Sequence, residues 1–122
     1  ASDSPSRMEE GYVQKISLTA LMRHQLEIAK GASSGRSART VYGGHEHILR
    51  QTMIALRAGA ELNEHENPGE ATLQVLHGRV TLIADKARWN GSPGDLMFIP
   101  DAPHALEAVE DSVVVLTVAK RP

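Results

Sequence analysis

Apolar and polar positions along this chain follow two different periods, and the change falls near Thr40. Over LTALMRHQLEIAKG, residues 18 to 31, Leu18, Leu21, Met22, Ile28 and Ala29 recur at helical spacing and share one face. Thr19 is placed to cap this segment and Gly31 to stop it, while His24 falls on the exposed side. The spacing predicts a helix near residues 18–30. Ahead of it, YVQKISL reads as a short strand or an extended arm. ASDSPSR, small and polar, reads as a disordered tail or a cloning remnant before a natural start at Met8. The organisation predicted is a tail over 1–10, an arm and helix over 11–39, and a single β domain over 40–122.

Beyond the link GASSGRS the pattern turns to strands. ILRQTMIALRAG mixes β-branched and apolar residues and ends at Gly59. ATLQVLHGRVTLIA reads as two strands meeting near Gly78, and DLMFIP as a short strand stopped by Pro100. DKARWNGSPGD reads as turn, with Asn90-Gly91 and Pro93-Gly94 as breakers. SVVVLTVA is a final strand that is apolar on both faces, so the side turned from the core needs the helix or a second chain to cover it. Short strands punctuated by Gly and Pro predict an all-β sandwich or barrel. Gly59, Gly78 and Gly94 should lie at strand ends.

Composition narrows the chemistry. A chain of 122 residues is long enough to bury a core, and with one Phe, one Trp and two Tyr that core must be aliphatic. A net charge of -2 gives no nucleic-acid footprint. The longest apolar runs, such as Val113–Leu116, are too short to span a bilayer. No charged-then-apolar leader opens the chain, so a cytoplasmic protein is the default expectation. The absence of Cys removes thiolate catalysis, disulfides and zinc-finger readings. Charge is uneven: residues 1–44 carry six Lys/Arg against four Asp/Glu, and residues 45–122 seven against eleven. Glu61, Glu64, Glu66 and Glu70 crowd around His65, which favours a cation there or simply makes a solvated loop. Arg57, Arg79 and Arg88 read as surface residues. Arg50 alternates with Thr52, Ile54 and Leu56, so an inward face would let it meet a carboxylate.

Two stretches carry a resemblance. GAELNEHENPGEATLQVLHG, from Gly59 to Gly78, and GDLMFIPDAPHALEA, from Gly94 to Ala108, resemble the two motifs of the cupin superfamily. Gly59, His65 and Gly78 match the first motif, and Gly94, Pro100 and His104 the second, with the proline-to-histidine gap one residue short. The chain departs from the pattern at Asn67, where a second histidine is usual, at Ala71, where a glutamate is usual, and at Ala108, where an asparagine is usual. The match covers roughly the last two thirds of the chain and leaves out the helix.

The resemblance implies a single-domain cupin β-barrel, a double-stranded β-helix or jelly roll, with a short N-terminal helix. It implies that His65 and His104 lie within reach of one atom in the barrel pocket; Asn67, at the second-histidine position, offers its side-chain oxygen there, and Arg50, if its strand face is inward, joins them as a ligand-binding residue. Cupin metals are usually held by two histidines and a glutamate of the first motif plus the histidine of the second, so only His65 and His104 of that set survive here. His47, from the His45-Glu46-His47 triplet on one strand face, or Glu70, turned inward by a bulge, would be the extra ligand. His77, beside Gly78, reads as polar surface. The implied cofactor is one divalent transition metal (iron, manganese, nickel or zinc) or none. Small single-domain bacterial cupins also imply a homodimer. Two functions stay open: a small-molecule-binding cupin, and a metal-dependent dioxygenase-, isomerase- or hydrolase-like enzyme acting on a small organic acid.

Overall fold

The computed structural model describes residues 13–65 and 69–120, and of Glu64 and His65 the backbone alone. The expected 1–10 tail with its start at Met8, and the candidate residue Asn67, lie outside the described residues. One helix, α1 (Leu18–Gly31), precedes nine strands: β1 (Arg36–Tyr42), β2 (Leu49–Leu56), β3 (Glu61–His65), β4 (Gly69–His77), β5 (Val80–Ala84), β6 (Ala87–Gly91), β7 (Leu96–Phe98), β8 (His104–Ala108) and β9 (Ser112–Lys120). They form two antiparallel sheets, ordered β1-β2-β9-β4-β7 and β3-β8-β5-β6. From β2 onward this is the strand order of a jelly roll, as predicted. Among the described residues the two sheets form separate ladders, and no ladder joins them into one closed barrel.

The core lies between the sheets. Ile54, Leu56, Leu73, Val75 and Val114 from one wall meet Val80, Leu82, Leu106 and Ala108 from the other. All are aliphatic, as the scarcity of aromatic residues requires. Alternation does the sorting: in β9, Val114 faces this core while Val113 and Val115 face outward. There α1 covers them with Ala29, Leu21, Met22 and Leu26, packed also on Met53 and Ala55. The outer apolar side of β9 is thus covered by the helix, the first of the two solutions its pattern required.

Several sequence expectations need correction. The helix is capped by Ser17, whose hydroxyl accepts from the Ala20 amide at 3.1 Å, and not by Thr19. Its buried face carries Gln25 beside Ala29, while Ile28 is 45% exposed. Gln25 is accepted there because its Nε2 donates to Ser37 at 3.0 Å and its backbone carbonyl accepts from the Ser37 hydroxyl at 2.7 Å. Arg57 is not a free surface residue: its guanidinium donates to the carbonyls of Lys30 (3.1 Å) and Ala32 (3.0 Å) at the helix C-terminus. Arg79 and Arg88 are exposed, as expected, and pair with Glu110 and Glu107. The first strand begins at Arg36, four residues before Thr40, and residues 13–17 form no strand.

The stretch read as turn contains β6. Asp85 and Lys86 make the β5–β6 hairpin, with Asp85 at φ 55°, a conformation Asp tolerates. Gly91 is not a breaker but the end of the strand, where a Cβ would come within 2.6 Å of the Met97 sulfur and 3.0 Å of Val75. Gly59, Gly78 and Gly94 sit just outside strands with φ of 89°, 82° and 96°, as predicted.

Candidate ligand-binding site

Strand direction places the candidate residues at one end. The segment 66–68 joins β3 to β4, so the end of β3 and the start of β4 lie at the same end of the sandwich. On the four-stranded wall, His104 pairs with Ala84 of β5 on one side and, past an irregularity in β3 between Leu62 and His65, with His65 on the other. The backbone register therefore brings two motifs, separated by 38 residues, to neighbouring points on one wall.

His104 faces the interior. Along β8, His104, Leu106 and Ala108 are buried while Ala105 and Glu107 are half-buried, so His104 continues the core row of Leu106 and Ala108. It is 4% exposed. Its Nδ1 lies 2.9 Å from the Ala102 carbonyl oxygen. A carbonyl only accepts, so this contact needs Nδ1 to donate, and the loop after Pro100 holds the ring's orientation.

The facing wall supplies Arg50, Val118 and Ala71, which are register partners across β2, β9 and β4. They form the next inward row beyond Thr52, Leu116 and Leu73. Val118 is 2% exposed, and Arg50 is half-buried. No ion pair among the described residues holds the Arg50 guanidinium. The inward face inferred for Arg50 from its alternation with Thr52, Ile54 and Leu56 is the observed one. The sequence reading passed over Val118 and Ala84, the small and branched residues that complete these rows. Their signal was the cross-strand register, which only pairing reveals.

The proposed extra metal ligands are not assembled with His104. Glu70 pairs with Ala119 and is exposed on the outer face, because β4 runs in regular alternation from Gly69 with no bulge to turn it. His45, Glu46 and His47 lie in the turn between β1 and β2, not on a strand, so they share no strand face. Both histidines are exposed, and His47 sets its ring edge-on to Tyr42 with centroids 5.5 Å apart. The Lys120 ammonium steadies this turn by donating to the carbonyls of Gly44 (3.0 Å) and His45 (3.4 Å). His77, at the end of β4, is exposed.

Among the described residues, no three His, Asp or Glu side chains gather to hold a metal ion. Ala71 stands on the inner wall with a methyl group that cannot donate. Ala108, the other departure from the motif, lies in the core two rows below His104 and away from the open end.

Comparison with known proteins agrees with this geometry. No protein-family model matches the chain, and no curated protein matches it. Among solved structures, it is similar to an RmlC-like cupin protein from Desulfovibrio desulfuricans, at 26% identity over 69% of this chain and 81% of that one, with a TM-score of 0.62. A cupin superfamily protein from Desulfitobacterium hafniense DCB-2 matches at 13% identity over 88% of this chain and 92% of its own, with a TM-score of 0.71. Salicylate 1,2-dioxygenase from Pseudoaminobacter salicylatoxidans, solved as adducts with gentisate, matches at 19% identity over 83% of this chain and 31% of its own, with a TM-score of 0.68. No helix among the described residues is long and apolar enough to cross a membrane. With its jelly-roll strand order and its likeness to these solved structures, the chain has the fold of the cupin superfamily.

Proposed function

We propose that this chain binds a small organic acid between its two sheets, at the end where His104 and Arg50 occupy facing walls, and that it does so without turnover. The observation that carries this reading is the half-buried Arg50 on the inner wall with no ion pair among the described residues. A guanidinium bordered by Val118 is partly desolvated, and a carboxylate offers it two parallel charge-assisted hydrogen bonds. His104 stands on the facing wall, with His65 next to it on the ladder. Calorimetric titration with acetate, benzoate and succinate tests the reading. Saturable binding that weakens about tenfold or more in Arg50→Met supports it; no binding of any of the three opposes it.

The second reading is a metal-dependent enzyme acting on a small organic acid. The pairing of His65 with His104 favours it, as does the similarity to a dioxygenase solved with gentisate. Elemental analysis of protein purified without an affinity tag separates the two readings. Near-stoichiometric iron, manganese, nickel or zinc would favour the enzyme, and none would count against it.

We also infer a homodimer. The support is the resemblance to small single-domain cupins, with Tyr42, Ile48 and Leu49 left 51%, 68% and 41% exposed around the start of β2. Light scattering across a concentration range should give twice the chain mass.

A further inference from the structure

At the edge of the sandwich away from β1 and β3, the strands β6 and β7 leave a seam between the sheets. Its lower end is closed, since Gly91 packs so tightly that a Cβ would press on the Met97 sulfur. Toward Trp89 the walls part and leave an open pocket of about 450 Å³. Trp89 pairs with Leu82, which puts the indole on the inward face of β6 although β6 is an edge strand. The pocket is lined by Leu82 and Met97 from the two walls, by Trp89 and Phe98, and by Asn90 and Asp95. Trp89 and Phe98 are the only Trp and the only Phe of the chain, and both border this one space. Neither serves the core: they are 45% and 78% exposed.

Charge decides what such a pocket takes. Asp95 is the one charged residue in the lining, and no Lys, Arg or His is present there. The Asp95 carboxylate already accepts from the Ser92 amide at 2.8 Å, which holds it in the turn before β7 and leaves lone pairs to spare. An aromatic face attracts a cation through its quadrupole, most strongly for Trp, and an adjacent carboxylate adds to that attraction. An anion would meet Asp95 with nothing to neutralise it.

We propose that the β6–β7 seam is a second binding site, taking a small organic ammonium cation between Trp89, Phe98 and Asp95. Its chemistry is opposite to that of the carboxylate site at Arg50, and it stands independently of that reading.

Because Trp89 is the sole tryptophan, its fluorescence reports on this pocket alone. Tetramethylammonium chloride, transparent at the wavelengths used, should change the emission of the full chain saturably, beyond what sodium chloride does at equal ionic strength. Asp95→Asn, which keeps an acceptor for the Ser92 amide, should weaken that binding about fivefold. Phe98→Ala, at an exposed position, should weaken it as well, with the melting temperature of both variants confirming that they fold. The proposal is overturned if tetramethylammonium does no more than sodium chloride, or if both variants bind it as the unaltered chain does.

Discussion

His65 stands directly across the antiparallel ladder from His104, the last paired positions of β3 and β8 at the open end of the sandwich. Neither residue makes the fold: the aliphatic rows below them do. His104→Ala removes the hydrogen bond to the Ala102 carbonyl and a buried ring, so it should cost about 1–3 kcal/mol. Urea unfolding should still show one cooperative transition, while carboxylate binding falls at least about tenfold. A variant that no longer folds would place His104 in the scaffold instead.

Arg57 ties the C-terminus of α1 to the turn after β2 with two donated hydrogen bonds. Arg57→Ala should lower stability by about 1–2 kcal/mol, since charge-assisted bonds to helix-end carbonyls are lost from a half-buried side chain. Arg57→Lys should recover only part of that loss, because an ammonium lacks the planar fork. Chemical denaturation of both variants measures the difference.

Two glycines with the same sign of φ should respond differently. Gly59, at φ 89°, has open space where a Cβ would stand, so Gly59→Ala should cost only the backbone strain, about 1–2 kcal/mol. At Gly78, φ 82°, a Cβ would run into the Asp111 carbonyl and Ser112, which are backbone and the start of β9. Gly78→Ala should therefore be much the more damaging, with loss of soluble protein or a melting temperature well below that of Gly59→Ala. Equal melting temperatures would contradict this.

The motif glycines were legible in the sequence because tight turns leave a residue type that spacing can find. Arg50 was legible too, since its alternation with Ile54 and Leu56 survives intact in β2. What was hidden depends on pairing. Gly91 looked like a turn residue, and only the approach of Met97 explains a glycine at the end of β6. Arg57 looked like surface because its partners are backbone carbonyls of α1, far away in sequence. The His45-Glu46-His47 triplet looked like one strand face, yet it falls in a turn tethered by Lys120. A local pattern could not distinguish a strand from the turn that precedes one.

Ala71 on the inner wall also makes the metal question testable by gain of function. A carboxylate introduced there would share the end of the sandwich with His104. The double change Asn67→His with Ala71→Glu rebuilds the four-ligand set that the resemblance implies and should raise divalent-metal affinity by orders of magnitude. Competition against a chromogenic chelator, with cobalt or zinc, measures it. Affinity equal to that of the unaltered chain would mean that the two walls do not converge as described.

The central claim is that one carboxylate ligand touches both walls, at His104 and at Arg50. Titration of the chain with acetate, benzoate and succinate, followed through the imidazole resonances of its six histidines, tests it most directly. The account predicts a saturable shift of the His104 ring, assigned by its loss in His104→Gln, with the exposed His24 and His77 unmoved and the shift abolished in Arg50→Met. A His104 ring that stays still with all three acids, or moves equally without Arg50, would contradict it.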